Sequence, residues 1–291
     1  NPYKSLWTGL TSLFGLSNLY LLDKSTDYFA RSTELNVFAH TWSLGVEEQF
    51  YILFPLFIWL SGFGRLSKNG TRNLFLIVGT LSIASLIGFL YIYPSNQPAA
   101  YFLMPTRFWE MASGCLLFIG FQKSKSIEKF FEKISPILVL AFIIGIMYLP
   151  MSLAITSTVL VVGLSLVLIA SLKKKTVAFK FFTNPKVVYT GLMSYSLYLW
   201  HWGVLSISRW TIGIHWWSLP FQLALIFGLA ICSYRWIETP LRQGSWFEKR
   251  WKTIIFGGGV MVALSSGILA LIEPLKGQLY TGNRIQLVKP S

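Results

Sequence analysis

Charge is scarce in this chain, and negative charge is scarcest. Only 12% of its 291 residues are charged, with 11 Asp and Glu against 25 Lys and Arg. A soluble domain carries about 25% charged residues, so a soluble globular fold is excluded. Cysteine is nearly absent. Cys115 and Cys232 each sit in an apolar segment, and no CxxC spacing supports a disulfide framework or a zinc site. With three histidines and no metal-spaced cluster, no metal is expected. A Walker loop and a dinucleotide fingerprint are also missing. The net charge of +14 does not indicate nucleic acid, because the basic residues form separated clusters between apolar runs and not one stripe.

What is present is apolar: 54% of residues are hydrophobic. The fold class expected is all-α, a polytopic transmembrane bundle with about nine spans of roughly 20 residues each. The runs are Leu6–Leu22, Thr41–Phe63, Leu74–Tyr93, Thr106–Phe121, Ser135–Met151, Thr156–Leu172, Val187–Ser208, Trp216–Ile237 and Thr253–Ile272. Loops after even-numbered runs hold the basic clusters, such as Lys173-Lys174-Lys175, and the intervening loops hold only Lys24, Arg31 and Arg209. The positive-inside rule then puts Asn1 in the cytoplasm and Ser291 outside. Three segments are expected: a membrane domain over 1–245, an additional transmembrane helix over 246–272, and an extracytoplasmic tail over 273–291 that begins a further module. The sequon Asn69-Gly70-Thr71 falls on the cytoplasmic side by this topology, so it carries no glycan.

The second run contains two adjacent acids, Glu47 and Glu48, in Thr41-Trp42-Ser43-Leu44-Gly45-Val46-Glu47-Glu48-Gln49-Phe50-Tyr51. A carboxylate within the bilayer is costly and marks a functional site by default. Glu47 lies about 9 Å along the helix from the outer end. It shares a face with Ser43 and Tyr51, so of the two acids it is expected to turn into the bundle. His40 precedes this run at the outer surface. His201 falls at a similar depth on a face with Ser194, Tyr198 and Trp202. Its imidazole can act as base or nucleophile near neutral pH, or can simply pack among aromatics. His215, beside Trp216 and Trp217, reads as part of an interfacial aromatic belt. Arg107 and Glu110, three apart, can pair on one face and serve either the bundle or a site. Glu238 can reach Arg235 or Arg242 by helical spacing. Pro240 disfavours helix just before it. This inner basic corner suits either an anionic ligand or an ordinary helix stop.

These residues resemble the signature of the membrane acyltransferase 3 family. The match runs from His40 through Tyr51. Three further segments follow in the same order: Thr106–Gly114, Ser194–Trp202 and Glu238–Arg242. Gly203 stands where that family usually has proline. The resemblance implies two further spans ahead of Asn1, holding an Arg and a His. It also implies a bacterial cytoplasmic (inner) membrane location and transfer of an acyl group, often acetyl, from a cytoplasmic acyl-CoA such as acetyl-CoA. The acceptor would be an extracytoplasmic glycan: lipopolysaccharide O-antigen, peptidoglycan or exopolysaccharide. Partners implied are membrane lipids, the donor, the glycan and a C-terminal esterase-like domain; nucleic acid is not among them.

On this reading Glu47, Glu48 and His201 carry catalysis, with Glu47 orienting a histidine from the preceding spans. His40, Trp42, Ser43, Arg107, Glu110 and Tyr198 bind substrate, and Glu238 and Arg242 hold the donor. The alternative is a transporter of small carboxylates or glycan pieces without covalent chemistry, which would be built from paired broken helices in related halves.

Overall fold

The computed structural model describes residues 2–24, 34–64, 69–123, 130–131, 133–172, 176–244 and 250–275. Among these residues the chain is all-α. In chain order the helices are α1 (Pro2–Ser12), α2 (Ser17–Asp23), α3 (Trp42–Ser61), α4 (Gly70–Ile92), α5 (Gln97–Phe102), α6 (Met104–Lys123), α7 (Pro136–Ile146), α8 (Ala154–Ser171), α9 (Val177–Phe182), α10 (Pro185–Leu192), α11 (Ser194–Trp210), α12 (Leu219–Ser233), α13 (Thr239–Gln243) and α14 (Arg250–Leu275). Among the described residues four helical stretches are long and apolar enough to cross a membrane: Gly70–Ile92, Met151–Ser171, Leu219–Gln243 and Trp251–Ile272. Helices α3 and α6, of 20 residues each, match them in length but carry the acid pair and the Arg107–Glu110 pair. The chain is a multi-pass membrane protein. Much of its large apolar side-chain surface is exposed, as on Ile52, Ile87, Phe142 and Ile254, which suits lipid as the surrounding medium.

Several expected spans are interrupted. Leu6–Leu22 is divided into α1 and α2 by a turn at Leu13–Leu16, where Gly15 adopts φ 65°, a conformation open mainly to glycine. Val187–Ser208 is divided at Met193 into α10 and α11. Gly191, which costs about 1 kcal/mol in a helix interior, sits in the last turn of α10. In Ser135–Met151 only the 11 residues of α7 are α-helical, about 16 Å of rise and too short to cross. Apolar composition alone did not reveal these breaks. Arg31, Arg65, Lys68, Lys125, Lys129, Lys173 to Lys175 and Lys249 lie outside the described residues, as do Asn1 and the tail from residue 276.

Pro240 does not end the helix ahead of it. Thr239 keeps helical angles (φ −62°, ψ −48°), and a π turn spans Tyr234–Glu238. The wider turn relieves the clash a proline ring makes with the carbonyl four residues earlier and absorbs the missing N–H.

The chain forms two compact units, residues 46–192 and residues 1–45 with 193–291. In the first, α4 packs along α6, and α8 packs against α7 and α6. Its core gathers Phe89, Ala100 and Trp109, flanked by Leu86, Ile155 and Val159. Ser85 cross-links two helices: its Oγ donates to the Pro105 carbonyl at 2.5 Å and accepts from the Trp109 N–H at 3.1 Å. Asn96 caps α5 by accepting from the Ala99 N–H at 3.1 Å, satisfying one orphan donor of that helix. Phe50 stacks on Phe54 and meets Phe108 at 5.4 Å, fixing the middle of α3 against α6.

In the second unit, α11 packs along α12, and α1 touches α2 and α14. Asn36 holds it together. Its Nδ2 donates to Thr8 Oγ1 (2.9 Å), its Oδ1 accepts from the Phe38 N–H (3.1 Å), and its carbonyl accepts from Trp202 Nε1 (2.8 Å). One buried asparagine, through its side-chain amide and its main-chain carbonyl, therefore ties α1, the turn before α3, and α11.

Candidate functional site

Within the second unit, the 3-10 turn Ala39–Thr41 delivers His40 into a group of rings. Its imidazole is 5.1 Å from Tyr198, 5.8 Å from His201 and 6.1 Å from Trp202, centroid to centroid. His40 is only 4% exposed. Neither of its ring nitrogens reaches a hydrogen-bond partner, although the carbonyls of Val37 and Leu199 lie near enough to attract them. Burial, reinforced by His201, lowers its pKa to about 4, so the ring is neutral at physiological pH.

Tyr198 organises the backbone beside it. Its Oη donates to the His40 carbonyl at 2.5 Å. A phenol has one proton, so Ser43 Oγ must be the donor in the 2.7 Å contact between Ser43 and Tyr198. Tyr198 and His201, one helical turn apart, bring their rings to 5.4 Å. His201 Nδ1 stands 2.6 Å from the Tyr198 carbonyl. A carbonyl only accepts, so Nδ1 carries the proton, and in the neutral ring Nε2 is left with the lone pair. Trp42 is buried. A cavity of about 710 Å³ opens along α11 and α12, walled by Leu199, Val204, Ile207 and Leu225, with His40 at its edge.

In the first turn of α11, Ser196 Oγ donates to Glu238 Oε2 at 2.8 Å, and Arg242 reaches Glu238 Oε1 at 3.7 Å. Of the two arginines the spacing allowed, Arg242 is the one paired in this way. Half of its side chain remains exposed, leaving a cationic head that an anion can approach.

In the first unit, Arg107 and Glu110 form the pair their spacing predicted. Arg107 Nε lies 3.1 Å from both carboxylate oxygens, and Nη2 lies 2.6 Å from Oε2. The pair borders a cavity of about 380 Å³ that Tyr101, Ser157 and Thr158 also line. Tyr101 is pushed up to about 12 by burial and by a hydrogen bond with Tyr93.

Glu47 departs from the expectation that it turns into the bundle; no such turn was expected of Glu48. Both are exposed, while Trp42, Val46 and Phe50 form the buried stripe of α3. Those three recur every four residues and fill the inward face, so the acids fall on the other one. Glu47 is still within the electrostatic reach of Arg107, and Glu48 of Glu47. His215 stacks on Trp217 at 5.8 Å. Cys115 and Cys232 are free and half-buried. Among the described residues no three His, Cys, Asp or Glu side chains are grouped to hold a metal ion.

Sequence reasoning did not single out Asn36, Ser196 or Tyr101. Asn36 was the most accessible of the three, as an amide amid apolar residues just ahead of a helix.

The match to known proteins extends over most of this frame. The acyltransferase domain family model matches residues 3–237, and the chain belongs to that family. It is 26% identical over 255 residues to the peptidoglycan O-acetyltransferase OatA of Listeria monocytogenes, covering 82% of this chain and 40% of that protein. It is 30% identical over 258 residues to the O-acetyltransferase OatA of Staphylococcus aureus, covering 80% of this chain and 41% of that protein. The chain thus spans about two-fifths of the length of these curated relatives. No solved structure matches it.

Proposed function

We propose that this chain is the membrane part of an O-acyltransferase that moves an acetyl group from a cytoplasmic acyl-CoA to a hydroxyl of an extracytoplasmic glycan. The acceptor polymer is peptidoglycan, by likeness to the Listeria relative. Family membership supplies the reaction class. The observation that carries the chemistry is the Nε2 lone pair of His201, fixed by the bond between Nδ1 and the Tyr198 carbonyl. In the transfer a base takes the acceptor hydroxyl proton, the alkoxide oxygen bonds to the acyl carbon, the thioester C–S bond breaks, and the proton goes on to the departing thiolate. His201 is the candidate base.

Glu47 and Glu48 are assigned to the reacting centre, with Glu47 orienting a histidine from preceding spans. His40, Trp42, Ser43 and Tyr198 shape the substrate side. Arg107 and Glu110 line the acceptor side, and Arg242, held by Glu238, receives the anionic donor.

The test uses cells expressing the protein in its full-length context, with His201→Ala and Glu47→Gln, and measures alkali-labile acetyl on the surface glycan. Each variant should lose about 100-fold or more of the ester, the scale of a missing acid–base group, while remaining folded in the membrane. Wild-type ester in a folded variant would remove that residue from the mechanism.

A further inference from the structure

The cavity along α11 and α12 takes no part in the transfer steps above, and its wall is polar in a place that points to a ligand. Leu199, Val204, Ile207, Leu225 and Leu229 make it apolar, and no charged side chain lines it. Arg209, next in sequence to the lining Ser208, is paired with Glu34 at 3.5 Å and lies over the Trp202 ring. On α11 the lining residues run from Leu199 to Thr211, about 18 Å of helix rise. That is close to the depth of one leaflet, half of a hydrocarbon core about 30 Å thick. At about 710 Å³ the space falls inside the range of ligand sites, about 300–1,000 Å³.

His40 closes one end of this slot. Its ring lies level with Tyr198, His201 and Trp202, where the lining stripe of α11 begins, and it is buried. The main-chain carbonyls near that ring, those of Val37 and Leu199, only accept. A neutral imidazole offers one N–H and one lone pair, and no carbonyl can satisfy the lone pair. His201 cannot serve either, since its N–H is spent on the Tyr198 carbonyl. Among the described residues nothing donates to His40. A buried acceptor left without a donor is costly. The missing partner is thus a proton donor inside an apolar space. A carboxylate or phosphate would meet no cation there, and an ester or ether has no proton to give.

We propose that this slot binds a neutral single-chain lipid alcohol, with its hydrocarbon chain along α11 and α12 and its terminal hydroxyl donating to the free imidazole nitrogen of His40. The chain supplies the affinity and the hydroxyl the selectivity. Binding is non-covalent and stands independently of the transfer reading.

The test uses the full-length protein in phosphatidylcholine nanodiscs. The probe is 1-tetradecanol carrying a photoreactive diazirine midway along its chain, with labelled peptides mapped by mass spectrometry. Label should fall on α11 and α12. Unlabelled 1-tetradecanol should displace it about 10-fold more effectively than 1-methoxytetradecane, the ratio expected for one hydrogen bond. Tetradecanoate, with its charged head, should compete no better than the ether. His40→Phe keeps a ring and removes the lone pair; it should weaken the alcohol about 10-fold and leave the ether unchanged. Leu229→Trp fills the slot through a different residue and should abolish the label in protein that still melts near the wild-type temperature. Equal displacement by alcohol and ether would overturn the proposal, because His40 would then be served by water or left bare. So would label that persists in Leu229→Trp, or label spread over the exposed apolar faces of α4 and α14.

Discussion

Tyr198 gives its one phenolic proton to the main-chain carbonyl of His40, 158 residues earlier in the sequence, across 2.5 Å. That bond, with Ser43 donating to the Tyr198 phenolic oxygen, sets the turn that enters α3 against the middle of α11. The first and third of the signature segments are thereby brought together, and the His40 ring is held next to His201.

Tyr198→Phe keeps the ring and removes the bond. It leaves the His40 carbonyl and the Ser43 hydroxyl without this partner, at a cost of about 1–3 kcal/mol. The melting temperature in detergent should fall, and Ser43→Ala should cost less, because the phenol keeps its acceptor. Equal losses would mean that packing of the ring matters more than its hydroxyl.

His40 makes stability pH-dependent. Its folded pKa is lowered to about 4 from 6.5, so between those values the unfolded chain binds the proton more readily. The contribution is fully present above pH 6.5, falls as pH drops toward 4, and amounts to about 3 kcal/mol. Melting curves from pH 7.5 to 4.5 should show this decline. His40→Phe, which cannot titrate, should flatten it.

Gly45 sits where no side chain fits. A Cβ there would lie 2.9 Å from Asn18 Oδ1 and 3.0 Å from the Gly15 carbonyl oxygen. Asn18 is fully buried, and Gly15 is fixed in its left-handed turn. Gly45→Ala should cost about 1–3 kcal/mol, the range for overpacking, seen as a lower melting temperature. At Gly203 a Cβ would meet only Val37 Cγ1, at 3.8 Å. Gly203→Ala should be close to neutral in the same assay.

Arg107→Lys keeps the charge and loses the fork that places Nε against both carboxylate oxygens. A point charge cannot reproduce that geometry. Acceptor use should fall, with a rise in KM for the glycan larger than the loss in kcat, while Lys24→Ala, at an exposed pair, should leave both unchanged.

The architecture was legible in outline because long apolar runs have few alternatives: α4, α8 and α14 follow the expected runs within a few residues. What composition could not show were the interruptions at Gly15 and Met193, which depend on single backbone conformations. The Arg107–Glu110 and Glu238–Arg242 pairs were readable because they are local, one helical turn each. Tyr198 to His40 and Trp202 to Asn36 were not, since nothing in either segment's own spacing specifies the other. The orientation of Glu47 was misread by weighing polar neighbours; the heavier stripe of Trp42, Val46 and Phe50 decides which face of α3 is buried.

The most direct test of acyl transfer follows radiolabelled acetyl-CoA supplied to the cytoplasmic side of membranes that contain the protein in its full-length context and an accessible glycan. The account predicts label on the glycan as an alkali-labile ester, lost with His201→Ala. Label accumulating across the membrane as free acetate, with no ester formed, would contradict it and point to transport.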